Sequence, residues 1–144
     1  MAVLAQIFAA THAGALRRAD ALDDGHVPEP APHVDVPSMS ALDLEVLGEI
    51  AAKAVRFGSG DLEAAEVDLD HEQLLRMPEF WCEVIAEIGI AEDPELPSEV
   101  AADWSAAEDV SGSGNLLLLL LDVVALVTAA RSNGLDVYLW VEAD

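Results

Sequence analysis

Asp68-Leu69-Asp70-His71-Glu72 is the densest run of ligand-type side chains in the chain. Carboxylate oxygens suit a hard divalent cation, and an imidazole adds a donor that transition metals favour. Asp68, Asp70 and His71 are therefore the candidate metal ligands. The spacing departs from a calcium-binding EF-hand loop, which needs alternating oxygen ligands, a central glycine and a distal glutamate, and no HExxH pattern occurs. In so acidic a chain such runs arise by chance, and a solvated acidic face is the expected state. Asp20, Asp23, Asp24 and His26 form a second, looser group of the same kind.

Other chemistry is thinly represented. Cys82 lies between Trp81 and Glu83 on a strongly amphipathic segment, where a buried, inert thiol is expected, because thiolate activation needs positive surroundings. The serines show no nucleophile-elbow pattern. Gly58-Ser59-Gly60 and Gly112-Ser113-Gly114 lack the lysine and the glycine spacing of a phosphate-binding loop. Asp122 stands alone inside an apolar run. The expected placement is a helix edge facing water; the functional alternative is a pocket carboxylate with a raised pKa. Trp81, Trp104 and Trp140 occupy core-type positions. Trp104 is the best candidate for an exposed binding anchor, because its helix has the thinnest apolar stripe and the most acidic flank: Asp103, Glu108 and Asp109.

The elements that would carry these residues centre on Leu116–Val141. Its apolar run of roughly 15 residues falls short of the ~20 that a membrane span needs, contains Asp122, and ends on Arg131. A buried core helix is the better reading, closed by Ser132-Asn133-Gly134. Residues 136–141, DVYLWV, then read as a strand with Val137, Leu139 and Val141 on one face and Tyr138 and Trp140 on the other. Both faces are apolar, which predicts cover on both sides. Such a strand needs a neighbour, and this favours a strand over a helix for Ala2–Ala10, with Thr11 capping a helix over His12–Leu22. Asp23-Asp24-Gly25 closes that helix. Pro28, Pro30, Pro32 and Pro37 make 26–37 an extended surface loop, excluded from helix and from central strand.

Ser40 caps a helix whose stripe is Leu42, Val46, Leu47, Ile50 and Ala54. Ala65–Asp70 alternates as a short half-exposed strand or extended loop. Pro78 opens a helix with the stripe Phe80, Trp81, Val84, Ile85 and Ile88, stopped by Gly89, and Ser98 caps a shorter helix carrying Val100, Trp104 and Ala107. Ser111-Gly112-Ser113-Gly114 reads as a flexible joint. These pieces amount to an α+β, mostly helical single domain over 1–144, with about five helices and a small sheet that includes the C-terminal strand.

Composition restricts the partners. Twenty-eight acidic residues against six basic ones give a net charge of −22, which repels nucleic acid and anionic lipid and attracts basic partners and cations. With 53% hydrophobic residues the chain can build a full core. One cysteine excludes an internal disulfide. Met1–Phe8 has no basic start and only a short apolar run, so no secretory leader is expected and cytoplasmic placement is the default. No cofactor is implied.

The order of pieces is similar to that in a set of uncharacterised bacterial hypothetical proteins. The likeness rests on LDLEVLGEI at 42–50, MPEFWCEVIAEI at 77–88, EVAADWSAAED at 99–109 and VYLWV at 137–141, about two thirds of the chain. It implies an α+β domain and brings no transferable function. Those sequences carry a fuller acidic segment before the central helix, where glycine and serine stand here. Three functional classes remain open. An interaction protein docking on a basic protein, of inhibitor or immunity type or as a mimic of nucleic-acid charge, predicts one acidic face with an exposed aromatic. A metal-binding domain or enzyme using 68–72 predicts acids and a histidine converging in a concavity. A housekeeping protein whose charge serves solubility predicts acids spread evenly.

Overall fold

A computed structural model describes residues 4–36, 39–55, 60–108 and 116–142. In chain order the elements are β1 (Ala5–Ala10), α1 (His12–Asp23), β2 (His33–Asp35), α2 (Ala41–Val55), β3 (Ala65–Glu66), β4 (Leu74–Arg76), α3 (Glu79–Ile90), α4 (Leu96–Glu108), α5 (Leu116–Ser132) and β5 (Asp136–Val141). The fold is α+β. Its five strands form one antiparallel sheet in the order β2-β1-β5-β4-β3.

β5 is the middle strand. Ile7 pairs with Leu139 and Phe8 with Tyr138 on one side of it; Leu75 pairs with Leu139 and Leu74 with Trp140 on the other. Because side chains alternate along a strand, this register sorts the sheet into two apolar faces. Ile7, Val137 and Leu139 join a core built with α2, α3, α4 and α5. Phe8, Leu74, Tyr138 and Trp140 meet Ala15 and Ala19 of α1 on the opposite face, where the rings of Phe8 and Tyr138 stack at 5.7 Å. The two-sided cover that the β5 sequence demands is thus supplied by α5, backed by α2, α3 and α4, on one face and by α1 on the other.

Local signals set most boundaries. Thr11 Oγ1 accepts the Gly14 N–H at 3.1 Å, which separates β1 from α1. Ser40 and Asp43 exchange bonds at the start of α2: the Ser40 N–H donates to Asp43 Oδ2 at 2.8 Å and the Asp43 N–H to Ser40 Oγ at 3.4 Å. Gly25 and Gly134 take positive φ of 73° and 67°, the conformation expected just past α1 and α5. α5 is apolar on most of its circumference and packs against α3, α4, β1, β2 and β5. Among the described residues no helix is long and apolar enough to cross a membrane.

Three details differ from the sequence reading. The 26–37 segment is not loop throughout: His33–Asp35 pairs with β1 as an edge strand, the one sheet position in which prolines can flank a strand. Leu74–Arg76 is a strand with no alternating signature; it is held by β5, and the flanking bonds Met77 N–H to Val137 O at 2.9 Å and Val141 N–H to Gln73 O at 3.0 Å extend the pairing. α4 begins at Leu96, before Ser98, and α3 runs through Gly89 to Ile90. Gly58-Ser59 and Ser111–Gly114 lie outside the described residues.

Candidate functional site

His71 is held between two carboxylates. Its Nδ1 is 2.6 Å from Asp68 Oδ1 and its Nε2 is 2.8 Å from Asp20 Oδ1. The ring stands at the turn between β3 and β4, with its side chain 12% exposed, whereas Asp20 comes from α1 on that face of the sheet. A carboxylate accepts hydrogen bonds and cannot donate when ionised, so both ring nitrogens must carry protons. The imidazolium is favoured accordingly. The hydrogen bond to Asp68 raises the His71 pKa against the opposing effect of burial, with Asp20 adding to the rise. The same bond lowers the Asp68 pKa, assisted by backbone donors that include Asp70 N–H at 3.1 Å.

Of the candidate ligands Asp68, Asp70 and His71, the structure brings Asp68 and His71 together and adds Asp20. A ligating histidine needs a free ring lone pair, and here each nitrogen donates to an acid. The Asp70 side chain is exposed, and Asp70 reaches the cluster through its backbone N–H. Among the described residues no three His, Cys, Asp or Glu side chains are placed to hold a metal ion. The second acidic group also divides. Asp20 goes to His71, Asp23 Oδ1 accepts the Trp140 indole N–H at 2.8 Å, and Asp24 and His26 are exposed. Asp20 as the second partner of His71 was missed, since a separation of 51 positions gives no local signal.

Trp104 is not an exposed anchor. It is fully buried between α4 and α2, and its indole N–H donates to the Asp43 carbonyl at 3.1 Å. The few apolar residues of α4 suffice because one large side chain fills the contact with α2. Asp103 is exposed beside it, Glu108 is the last residue of α4, and Asp109 lies outside the described residues. Asp122 is exposed on α5, at the helix edge. Cys82 is buried, and burial pushes its thiol up to about 12, far from a thiolate at neutral pH.

What the structure does assemble is a run of unopposed carboxylates on α3 and α4. Glu79, Glu83 and Glu87 recur every fourth residue along α3, and Glu95, Glu99 and Asp103 do so through the start of α4. Residues at i and i+4 are neighbours on a helix surface, so each set forms a row of like charge. Glu92 and Asp93 lie exposed between the rows, as does Ile90, which is 70% exposed. From Met77 to Ala130 the sequence contains no Lys, Arg or His. Among the described residues none of these acids makes an ion pair. Among the described residues, Arg76 and Arg131 share a cleft with Glu79, and Lys53 shares one with Glu99 and Asp103. The four-residue spacing is legible in the sequence, and Asp103 belongs both to this row and to the acids flanking Trp104.

No protein-family model, no curated protein and no solved structure is found to match this chain.

Proposed function

We propose that this protein is a non-enzymatic, acidic interaction protein that docks on a basic protein partner through the surface of α3 and α4. The inhibitor, immunity or nucleic-acid-mimic type of action is the kind such a surface serves. The two like-charge rows carry the reading. Like charges at i and i+4 cost a helix about 0.2–0.5 kcal/mol per pair, and Glu79–Glu83, Glu83–Glu87 and Glu99–Asp103 are three such pairs. A fold that needed charge only for solubility would be as well served by dispersed acids, which avoid that cost. An aligned negative surface speeds the encounter with a positive partner and rejects acidic ones. Ile90, exposed among Glu87, Glu92 and Asp93, supplies the apolar contact expected earlier of Trp104.

The test is affinity capture of the tagged full chain from its native extract, at low salt and at about 0.5 M salt, where exposed charge pairs are largely screened. One basic protein recovered at near-stoichiometric yield at low salt, and depleted at high salt, is the expected result. The absence of any specific basic partner at either salt concentration contradicts the proposal.

A further inference from the structure

The only adjacent cations in the sequence, Arg17 and Arg18, border a cavity of about 460 Å³ between α1 and the proline-rich segment 26–31. Arg18 is 7% exposed, an unusual depth for a guanidinium that forms no ion pair within 4 Å among the described residues. It is fixed rather than neutralised. Its Nε donates to Gln6 Oε1 at 2.6 Å, its Nη1 donates to the Glu29 carbonyl at 2.9 Å, and its Cζ lies 5.2 Å from the centre of the Phe8 ring. Nη2 has no hydrogen-bond partner among the described residues, and Arg18 lines the cavity. Burial lowers the Arg18 pKa, and the field of Asp35 only partly opposes this. Arg17 is exposed and unpaired among the described residues. Its Nη2 would lie 3.8 Å from a Cβ at Gly14, so the guanidinium folds back over the first turn of α1.

Among the described residues Arg76 is the one Arg or Lys that pairs with an acid, and Arg17 and Arg18 are two unpaired cations that line a single cavity. A buried, immobilised guanidinium with a free donor edge is a preformed oxyanion site, because the cost of desolvation and ordering is met on folding. Ala21, Val27, Pro28 and Pro30 give the same cavity an apolar wall. Its volume falls in the range of roughly 300–1,000 Å³ typical of small-molecule sites. We infer that this cavity binds a small monocarboxylate with a short apolar body, its carboxylate held by Arg17 and Arg18. The negative field of the whole chain, together with Glu29 at the lining and Asp35 on β2, disfavours a doubly charged phosphate and leaves a single charge tolerable. The site involves α1, on the sheet face opposite α3 and α4, and does not depend on the docking proposal.

The experiment is an NMR titration of the ¹⁵N-labelled full chain with hexanoate, with hexanamide and inorganic phosphate as comparisons. Hexanoate is expected to saturate with a Kd of about 1 mM or tighter. The shifts should centre on Gly14, the Arg18 side-chain Nε–H and Ala31. Arg17→Gln, an exposed change, and Ala21→Leu, which narrows the cavity from its α1 wall, should each weaken binding about tenfold or more, equal to ~1.4 kcal/mol. Hexanamide should not bind. The inference is overturned if hexanoate gives no saturable shifts, if both variants bind it as well as the parent chain, or if phosphate saturates the same resonances at equal or lower concentration.

Discussion

Gly48→Ala should destabilise this protein, although alanine is the better helix former. Gly48 is buried in α2 where the helix meets Trp81 of α3. A Cβ there would stand 2.6 Å from Trp81 Cδ1, 3.1 Å from Trp81 Nε1 and 3.0 Å from Leu62 Cδ2. Carbon contacts settle near ~3.5–4.0 Å, so the indole must retreat by about 1 Å. Trp81 is fully buried and donates its N–H to the Leu44 carbonyl at 2.8 Å; the same retreat takes that bond past its useful length. Overpacking costs about 1–3 kcal/mol, and a buried donor left without a partner about 1–3 kcal/mol more. The helix-propensity gain returns only about 1 kcal/mol. The net is a loss of roughly 1–5 kcal/mol, which the urea midpoint of the variant reports directly as a fall of about 0.3 M or more at a typical slope of ~1–3 kcal/mol/M. A midpoint equal to or above that of the parent would refute the close approach of α2 and α3 on which this reasoning rests.

His71→Gln should alter the pH profile of stability. The raised His71 pKa contributes stability that is fully present below its ordinary value of 6.5 and is lost as pH rises through the folded value; the lowered Asp68 pKa contributes stability present above 3.8 and lost as pH falls through its own. The difference between parent and variant should therefore be larger at pH 5.5 than at pH 8.5 in urea titrations, and equal differences would count against the charged clamp. Trp104→Ala should cost about 3–5 kcal/mol, measured by the same titration, whereas a surface anchor would lose almost nothing. The Cys82 thiol should resist alkylation at neutral pH in the native protein and react on unfolding; rapid native labelling would contradict its burial and its pKa of about 12.

Features written in local periodicity were legible. Both apolar faces of β5, the strand at β1, the Thr11 cap and the glycines after α1 and α5 follow from residue types within a few positions. Pairing was not. β4 has no alternating pattern of its own, and β2 lies among prolines; each exists because β5 or β1 offers it a partner distant in sequence. The candidate site divides the same way. The Asp68–His71 contact spans three residues, whereas its completion by Asp20 depends on α1 covering that face of the sheet. Trp104 was misjudged because burial on a thin stripe depends on the facing helix, and α2 closes over it. The rows on α3 and α4 were open to inspection, since their spacing is purely local.

The most direct test of the docking proposal compares two variants of equal charge against the captured basic partner. The first carries Glu83→Gln, Glu87→Gln, Glu95→Gln and Glu99→Gln in the rows; the second carries Asp24→Asn, Glu63→Gln, Glu66→Gln and Glu72→Gln at exposed positions elsewhere. Surface plasmon resonance at low salt should give an association rate reduced by about tenfold or more for the row variant and near that of the parent for the other, because steering depends on where the charge lies. Equal losses in both variants would show that total charge, rather than the α3–α4 surface, governs the encounter, and would contradict the proposal.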